Sequence, residues 1–351
     1  MKKMNCAVIG CGAIGSVHAD HYSKSVRAKL AAVVDIVPER AQALAAKHNV
    51  PAALANYRTM LKDPSIEAVS VCLPNDLHAP VTIDCLRAGK HVLCEKPIAL
   101  NIRQAEAMWK EARLRRRMLA IGVVNRYNDN VNWIRDLIAG GELGDVYHVN
   151  TVFKAHRSIP GLGGWFTTKA RSGGGVMIDW GVHFIDLILY CLGVPKPVSV
   201  SGVAYSKLGA GLDDYAYINM WAGPPRCDGV CNVEEYASGL LRTDGPSVSF
   251  EGAWAQNIDE GAMFIEFLGD KAGIRLAYGG AFTICSHKDG RLYKTAPTQR
   301  VGDMFQTEID AFLQSAATGK PCASAIDAVL PTQKVLDAFY RSARTGREVK
   351  V

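Results

Sequence analysis

The chain reads as an α/β protein: a doubly wound parallel sheet first, then a second α/β domain built on a mainly antiparallel sheet with the segment after Gly173 as a helix packed on it. Three observations predict this. Up to about residue 124, apolar runs of strand length alternate with helix-length segments, the pattern of a parallel sheet. A glycine pattern, GCGAIG at 10 to 15, stands between the first strand and the first helix. Beyond Val124, turn-forming residues rather than helices mostly separate the strand-like runs. A length of 351 residues exceeds what one core normally holds, so two domains are expected, 1–124 and 125–351.

In order along the chain, NCAVIG (5 to 10) is a short buried strand. Gly10 permits a tight turn, Gly12 lets the backbone approach a pyrophosphate, and Gly15 allows close packing of helix on strand. Amide groups at the helix start, at Ala13 and Ile14, face phosphates. The second strand, LAAVVD, ends on Asp35, twenty residues after Gly15, where a carboxylate accepts hydrogen bonds from ribose hydroxyls and repels a 2′-phosphate. Ile36 brings no cation to receive such a phosphate, so NAD is expected rather than NADP. A glycine-rich turn without a ligand is the competing reading of the six residues alone. Next come IEAVSVCLP (66 to 74), a helix from about residue 80 to 88, HVLCEKP (91 to 97), a helix from about 101 to 117, and MLAIGVV (118 to 124). Ligands of such sheets sit beyond the carboxyl ends of the strands. That rule places Leu73, Pro74, Asn75 and His78, and then Glu95 and Lys96, beside the dinucleotide. Pro97 fixes the chain behind Lys96 and permits a cis peptide there.

In the second half, DVYHVNTVFKAH (145 to 156), VSVSGVAYS (198 to 206), YAYINMWA (215 to 222) and SVSFEGAWAQN (247 to 257) read as strands. Among them lies GGGVMIDWGVHFID (173 to 186). If the part after the glycines is helical, Asp179 and His183 lie one turn apart on one face. Either they serve chemistry with a partner elsewhere, or they are buried polar residues satisfying one another.

Composition excludes several classes. The formal charge of +6 is modest, and the basic run KEARLRRRM (110 to 118) lies on a helix with too few aromatics for a nucleic-acid surface. No signal-peptide pattern and no apolar run long enough for a bilayer is apparent, which leads to the expectation of a cytoplasmic protein without a membrane partner. The ten cysteines are scattered, several (Cys6, Cys72, Cys94) within strand-like runs, as expected of reduced thiols. Cys227 and Cys231 lack flanking ligands at zinc spacing, so no metal is expected.

GCGAIG, CLPNDLH, GKHVLCEKPIAL, SGGGVMIDWGVHFIDLILYCLG and the closing LDAFYRSARTGREVKV together resemble the Gfo/Idh/MocA family of oxidoreductases across nearly the whole chain. The resemblance implies a Rossmann domain binding NAD, followed by an α/β domain whose open sheet makes a homo-oligomer, a tetramer or larger. It also implies that Lys96, Asp179 and His183 occupy the catalytic positions of sugar and polyol dehydrogenases. Many members carry Trp-Arg before the glycine cluster. Here the pair is Trp165 and Phe166, so no arginine role carries over.

Further substrate contacts are expected from Arg126, His156 and Trp165. Each has a structural alternative: Arg126 as a tie between the two domains, His156 with Arg157 as a charged sheet edge, Trp165 as packing. The implied activity is NAD-dependent oxidation of a secondary ring hydroxyl of a sugar, glycoside or cyclitol, first of all C3 of a glucoside. In this scheme His183 removes the proton, assisted by Lys96 and Asp179. Inositol oxidation, an NAD-dependent glycosidase and a non-catalytic NAD-sensing regulator are the alternatives.

Overall fold

The computed structural model describes residues 3–351. The chain divides into two compact units: residues through Tyr127 together with Gly302–Leu330, and Asn128–Val301 together with Pro331–Val351.

The first unit contains β1 (Met4–Ile9), α1 (Ala13–Lys24), β2 (Ala28–Val34), α2 (Pro38–His48), β3 (Ala52–Leu54), α3 (Tyr57–Leu61), β4 (Ala68–Val71), α4 (Asn75–Arg87), β5 (His91–Glu95), α5 (Ile102–Arg115) and β6 (Leu119–Gly122). All six strands pair in parallel, in the order β3-β2-β1-β4-β5-β6. That order reverses between β1 and β4, which is where a doubly wound sheet opens a crevice for a dinucleotide. Side chains alternate across the sheet, because successive residues of a strand point to opposite faces. Ala7, Ile9, Val92 and Cys94 enter one core; Cys6, Val8 and Leu93 enter the other. Burial on both faces explains why these strands read as continuous apolar runs.

Two expectations shift here. The fourth helix begins at Asn75, not near Pro80; Pro80 rides inside it on the exposed side, where one missing backbone donor is tolerated. β3 and α3 are too short to carry a periodic signal.

The second unit opens with α6 (Asp129–Ala139), capped by the Asn128 side chain, which accepts from the amides of Asn130 and Val131. It continues with β7 (Val146–Lys154), α7 (Lys169–Ser172), a π-helical turn at Met177–Gly181, α8 (Val182–Cys191), β8 (Pro197–Tyr205), β9 (Tyr236–Thr243), β10 (Ser247–Ala253), β11 (Ala262–Gly269), β12 (Ala272–Ala277), β13 (Phe282–Lys288) and β14 (Arg291–Thr295). After β14 the chain forms α9 (Met304–Thr318) in the first unit, then α10 (Ile326–Thr345) and β15 (Val349–Lys350).

The nine strands run β14-β13-β12-β11-β7-β10-β9-β8-β15, antiparallel except for the β7/β10 pair. On one face Phe184 of α8 stacks on Phe153 of β7, and Phe339 of α10 meets Phe250 edge-on. Gly202 of β8 has no side chain because a Cβ there would lie 2.5 Å from the Phe339 ring. On the other face polar pairs line up: His148 with Ser247 and Ser249, Asn150 with Glu266, Lys154 with Glu251. Alternation of apolar and polar residues along β7 is the sequence trace of that division.

Three expectations are corrected. Residues 215–222 are not a strand: the Tyr215 hydroxyl accepts from the Ile159 amide and the Ile218 amide donates to the Arg157 carbonyl, which holds the segment as a loop. The return of residues 302–330 to the first unit was invisible to a division at residue 124. Ile309, Phe312 and Leu313 enter one core there, Ile326 and Val329 the other, and the Ile121 amide donates to the Ser324 carbonyl. Finally, residues 169–191 are long and apolar enough to span a membrane by length and composition. However, 89% of the most apolar 18-residue stretch within it is buried inside the protein, as in a core helix.

Candidate active site

In the first unit the glycine loop has the shape a pyrophosphate needs. Gly10 has φ +95°, and a Cβ on it would lie 2.1 Å from the Cys72 carbonyl oxygen at the adjacent end of β4. A Cβ on Gly15 would lie 1.8 Å from the Gly10 carbonyl oxygen, so neither position accepts another residue. Gly12 differs: its φ is −76°, and an added Cβ would meet nothing within 4 Å. Packing therefore does not require a glycine there. The open space lies in front of the first turn of α1, which has no side-chain cap, so its amides are available to an anion. Gly12, Ala13 and Ile14 line that entrance, the first two exposed.

Asp35 stands at the end of β2. Its Oδ2 accepts the Cys11 amide at 2.8 Å and its Oδ1 accepts the Val37 amide at 2.9 Å, which orients the carboxylate beside the glycine loop with lone pairs left for a diol. Ile36 is 89% exposed and brings no positive charge. These residues fit an adenosine ribose and pyrophosphate.

Beyond β4 and β5 lie the other predicted contacts. Leu73 and Pro74 are half-buried and Asn75 is buried at the start of α4. His78 is buried and both its ring nitrogens are engaged by the main chain: Nδ1 lies 2.7 Å from the Pro97 carbonyl oxygen and Nε2 lies 2.8 Å from that of Leu73. Two acceptors on two ring nitrogens require both nitrogens to carry protons. Burial opposes that charge, but Cys94 and the two carbonyls outweigh it and lift the imidazole from 6.5 to about 9. His78 thus ties together the two strand-end loops, a correction to its expected cofactor contact. The Lys96–Pro97 peptide is cis, as Pro97 permits. Lys96 itself is half-buried. Arg126 is also corrected: it is 2% exposed, and its guanidinium donates to the Ala323 and Ala328 carbonyls, anchoring the returning segment.

In the second unit each of the three glycines of the GGG run has its own reason. Gly173 caps α7 with φ +87°. A Cβ on Gly174 would lie 2.0 Å from the Tyr340 hydroxyl, and one on Gly175 would lie 1.8 Å from the Glu234 carbonyl oxygen. These close approaches assemble a buried clamp: Glu234 Oε1 accepts the Gly175 amide at 2.9 Å, the Met177 amide at 3.2 Å and the Tyr340 hydroxyl at 2.7 Å. Burial pushes the Glu234 carboxyl above the usual range, against the pull of Tyr340 and the amides. The clamp fixes the start of the π-helical turn that carries Asp179.

That turn modifies the expected spacing. A regular helix would put Asp179 directly one turn before His183; the π-turn, with its i→i+5 bonding, rotates Asp179 relative to α8, a device frequent at functional sites. Asp179 is buried, and His183 is half-buried with its ring edge-on to Tyr278. Asp186 is structural, its Oδ1 accepting from the Thr332 hydroxyl. Trp165 is half-buried and packs on Phe166, which meets Trp221 edge-on. His156 lies past the end of β7, its Nδ1 accepting weakly from the Ile258 amide.

Glu234 and Tyr340 have no signal in the sequence, because their partners lie 57 residues or more away. Each unit thus presents its candidate side chains on a buried, hydrogen-bonded base.

The family description "Oxidoreductase family, NAD-binding Rossmann fold" matches residues 4–123, and "GFO/IDH/MocA C-terminal domain" matches residues 131–275. The chain is also 31% identical, over 99% of its length and 97% of the relative's, to D-glucoside 3-dehydrogenase of Escherichia coli K12. The chain belongs to the Gfo/Idh/MocA oxidoreductase family. Inositol 2-dehydrogenase of Rhizobium meliloti is similar at 27% identity over 98% of both chains. Among solved structures, levoglucosan dehydrogenase in complex with NADH has the same fold, with a TM-score of 0.87 at 19% identity over 100% of this chain and 99% of that one. With the glycine loop and Asp35 shaped as described, this member is an NAD-binding oxidoreductase.

Proposed function

We propose that the protein oxidises a secondary ring hydroxyl of a sugar, glycoside or cyclitol to the ketone, with C3 of a glucoside as the preferred position. The observation that carries this reading is the full-length likeness to D-glucoside 3-dehydrogenase. Bound NAD supplies the hydride acceptor, leaving the protein to orient the alcohol and take its proton. His183 suits the second task, since an imidazole ordinarily titrates near neutrality and can receive the hydroxyl proton on a ring nitrogen. Asp179 orients that imidazole and favours its charged form after transfer. Lys96 places a cation beside the developing alkoxide. Trp165 and His156 contribute to the sugar-facing surface of the second unit. A homo-oligomer, tetramer or larger, through the open face of the nine-stranded sheet, and a cytoplasmic location complete the proposal. The likeness to inositol 2-dehydrogenase supports a second reading, the same chemistry on a cyclitol.

Purified protein with NAD, tested against glucose, alkyl glucosides and inositols while NADH absorbance is followed, decides among these. Accumulating NADH with an alkyl glucoside and production of the 3-keto sugar are expected. Lys96→Ala should bind NAD yet lose turnover by about 10²-fold or more. Unchanged turnover in that variant removes Lys96 from the mechanism.

A further inference from the structure

Beneath Lys96 runs a chain of buried hydrogen bonds that the proposed chemistry does not itself use. Glu95, the last residue of β5, is 7% exposed. Its Oε1 lies 2.9 Å from Nε2 of His18, and its Oε2 accepts the Lys96 amide at 3.1 Å. On the far side of the imidazole, Nδ1 of His18 lies 2.9 Å from the Ser70 hydroxyl, which in turn lies 2.8 Å from the Tyr22 hydroxyl. His18, Ser70 and Tyr22 are each at most 1% exposed. One assignment satisfies every member: Tyr22 donates to Ser70, Ser70 to Nδ1, and Nε2–H to the carboxylate.

A second feature points to the same carboxylate. Gly122 of β6 leaves room for it, since a Cβ there would lie 2.7 Å from Oε1 and 3.0 Å from Oε2. The glycine, the imidazole and the Lys96 amide therefore enclose Glu95 from three elements. Burial opposes ionisation of Glu95, but the hydrogen bond from His18, with the Lys96 charge and amide, holds its carboxyl below the usual range. The other titratable groups facing it are Cys72, just past β4, and Glu308 of α9; burial pushes both upward, disfavouring their charged forms. A buried carboxylate held ionised this way is a rigid, costly object, and such networks fix geometry when every member is satisfied.

His18 lies on α1, the helix whose first turn offers its amides to the pyrophosphate, and Glu95 precedes Lys96. We infer that His18 is a positioning residue for Lys96: through Glu95 it locks the main chain of the lysine to the phosphate-binding helix, so the ammonium is presented from a backbone that cannot shift. This rests on the proposed role of Lys96, although the bridge itself lies wholly within the first unit.

Two near-isosteric variants separate the halves of the bridge. His18→Gln places an amide donor where Nε2 stands and keeps the bond to Glu95. His18→Asn reaches only as far as Nδ1, keeping Ser70 and losing Glu95. With the holoenzyme and its best sugar substrate, His18→Asn should lower kcat by about 10–100-fold, the effect of a misplacement on the order of 1 Å, while His18→Gln stays within about threefold of wild type. NAD affinity, by fluorescence titration, should change little in both. In a Lys96→Ala background His18→Asn should cost less than about twofold further, because residues acting as one unit are not additive. Equal loss in the two variants, or full additivity with Lys96→Ala, overturns the inference. Pulse acylation of Lys96 read by mass spectrometry tests it without any substrate. The rate at Lys96 should differ by about threefold or more between wild type and His18→Asn, with that at the exposed Lys47 unchanged. Identical Lys96 rates refute the bridge. Absence of sugar oxidation by wild type would refute the proposed function alone, leaving the acylation result to decide on His18.

Discussion

Removing the acceptor at Glu234 tests the account of the glycine run most directly. Three buried donors converge on its Oε1: the Gly175 amide, the Met177 amide and the Tyr340 hydroxyl. Glu234→Ala leaves all three without that acceptor, and an unsatisfied buried polar group costs about 1–3 kcal/mol. The sum, about 3–6 kcal/mol after partial entry of water, is a large fraction of the 5–15 kcal/mol that holds a typical domain. At about 2–4 °C per kcal/mol for a domain of this size, the second unit should melt about 6–24 °C below wild type. Tyr340→Phe removes one donor and should cost about 1–1.5 kcal/mol, or about 2–6 °C. Glu234→Gln retains a carbonyl acceptor and loses only the charge assistance, about 1 kcal/mol. Differential scanning calorimetry reads the melting point, and kcat reports the π-turn that carries Asp179. NAD affinity should hold in all three variants, because the glycine loop and Asp35 belong to the other unit. A melting point for Glu234→Ala within about 1 °C of wild type, or a loss in Glu234→Gln as large as in Glu234→Ala, would refute the reasoning.

The nucleotide-binding unit yields further tests. Gly12→Ala meets no steric obstacle, so its melting temperature should stay within about 2 °C of wild type while NAD affinity in equilibrium titration falls at least about tenfold. Gly15→Ala meets the Gly10 carbonyl oxygen and should lose stability before affinity can be measured at physiological temperature. The His78 imidazole is raised in the folded state from 6.5 to about 9, so its contribution is complete below pH 6.5 and is lost as pH rises through about 9. The first unit of wild type should therefore lose melting temperature between those pH values more steeply than His78→Gln does, and parallel slopes would remove the buried imidazolium.

The legible part of the molecule was local. GCGAIG, the spacing to Asp35, and continuous apolar strands specify a parallel nucleotide-binding sheet because each rests on a few consecutive residues: a turn needing φ +95° at Gly10, a helix start, a strand buried on both faces. Lys96, Asp179 and His183 were legible as candidates for the same reason, as motif residues at strand and helix ends. Strands β9 and β11 to β14 and the loop at 215–222 were not, because a half-exposed strand and a loop rich in aromatic residues share a composition until a partner strand accepts or refuses the backbone bonds.

By itself, then, the sequence determined which backbone conformations were affordable at the glycines, which strands must be buried on both faces, and which residue types stand at the strand ends. Tertiary structure decided what those residues do. It turned His78 and Arg126 from expected ligand contacts into buried anchors, gave Glu234 and Tyr340 the start of the π-turn, and returned 302–330 to the first unit. The physical reason is separation along the chain. A hydrogen bond or a sub-3 Å approach between residues 57 or 106 positions apart leaves no periodic or spacing trace, since only the folded chain brings the two ends of the interaction together.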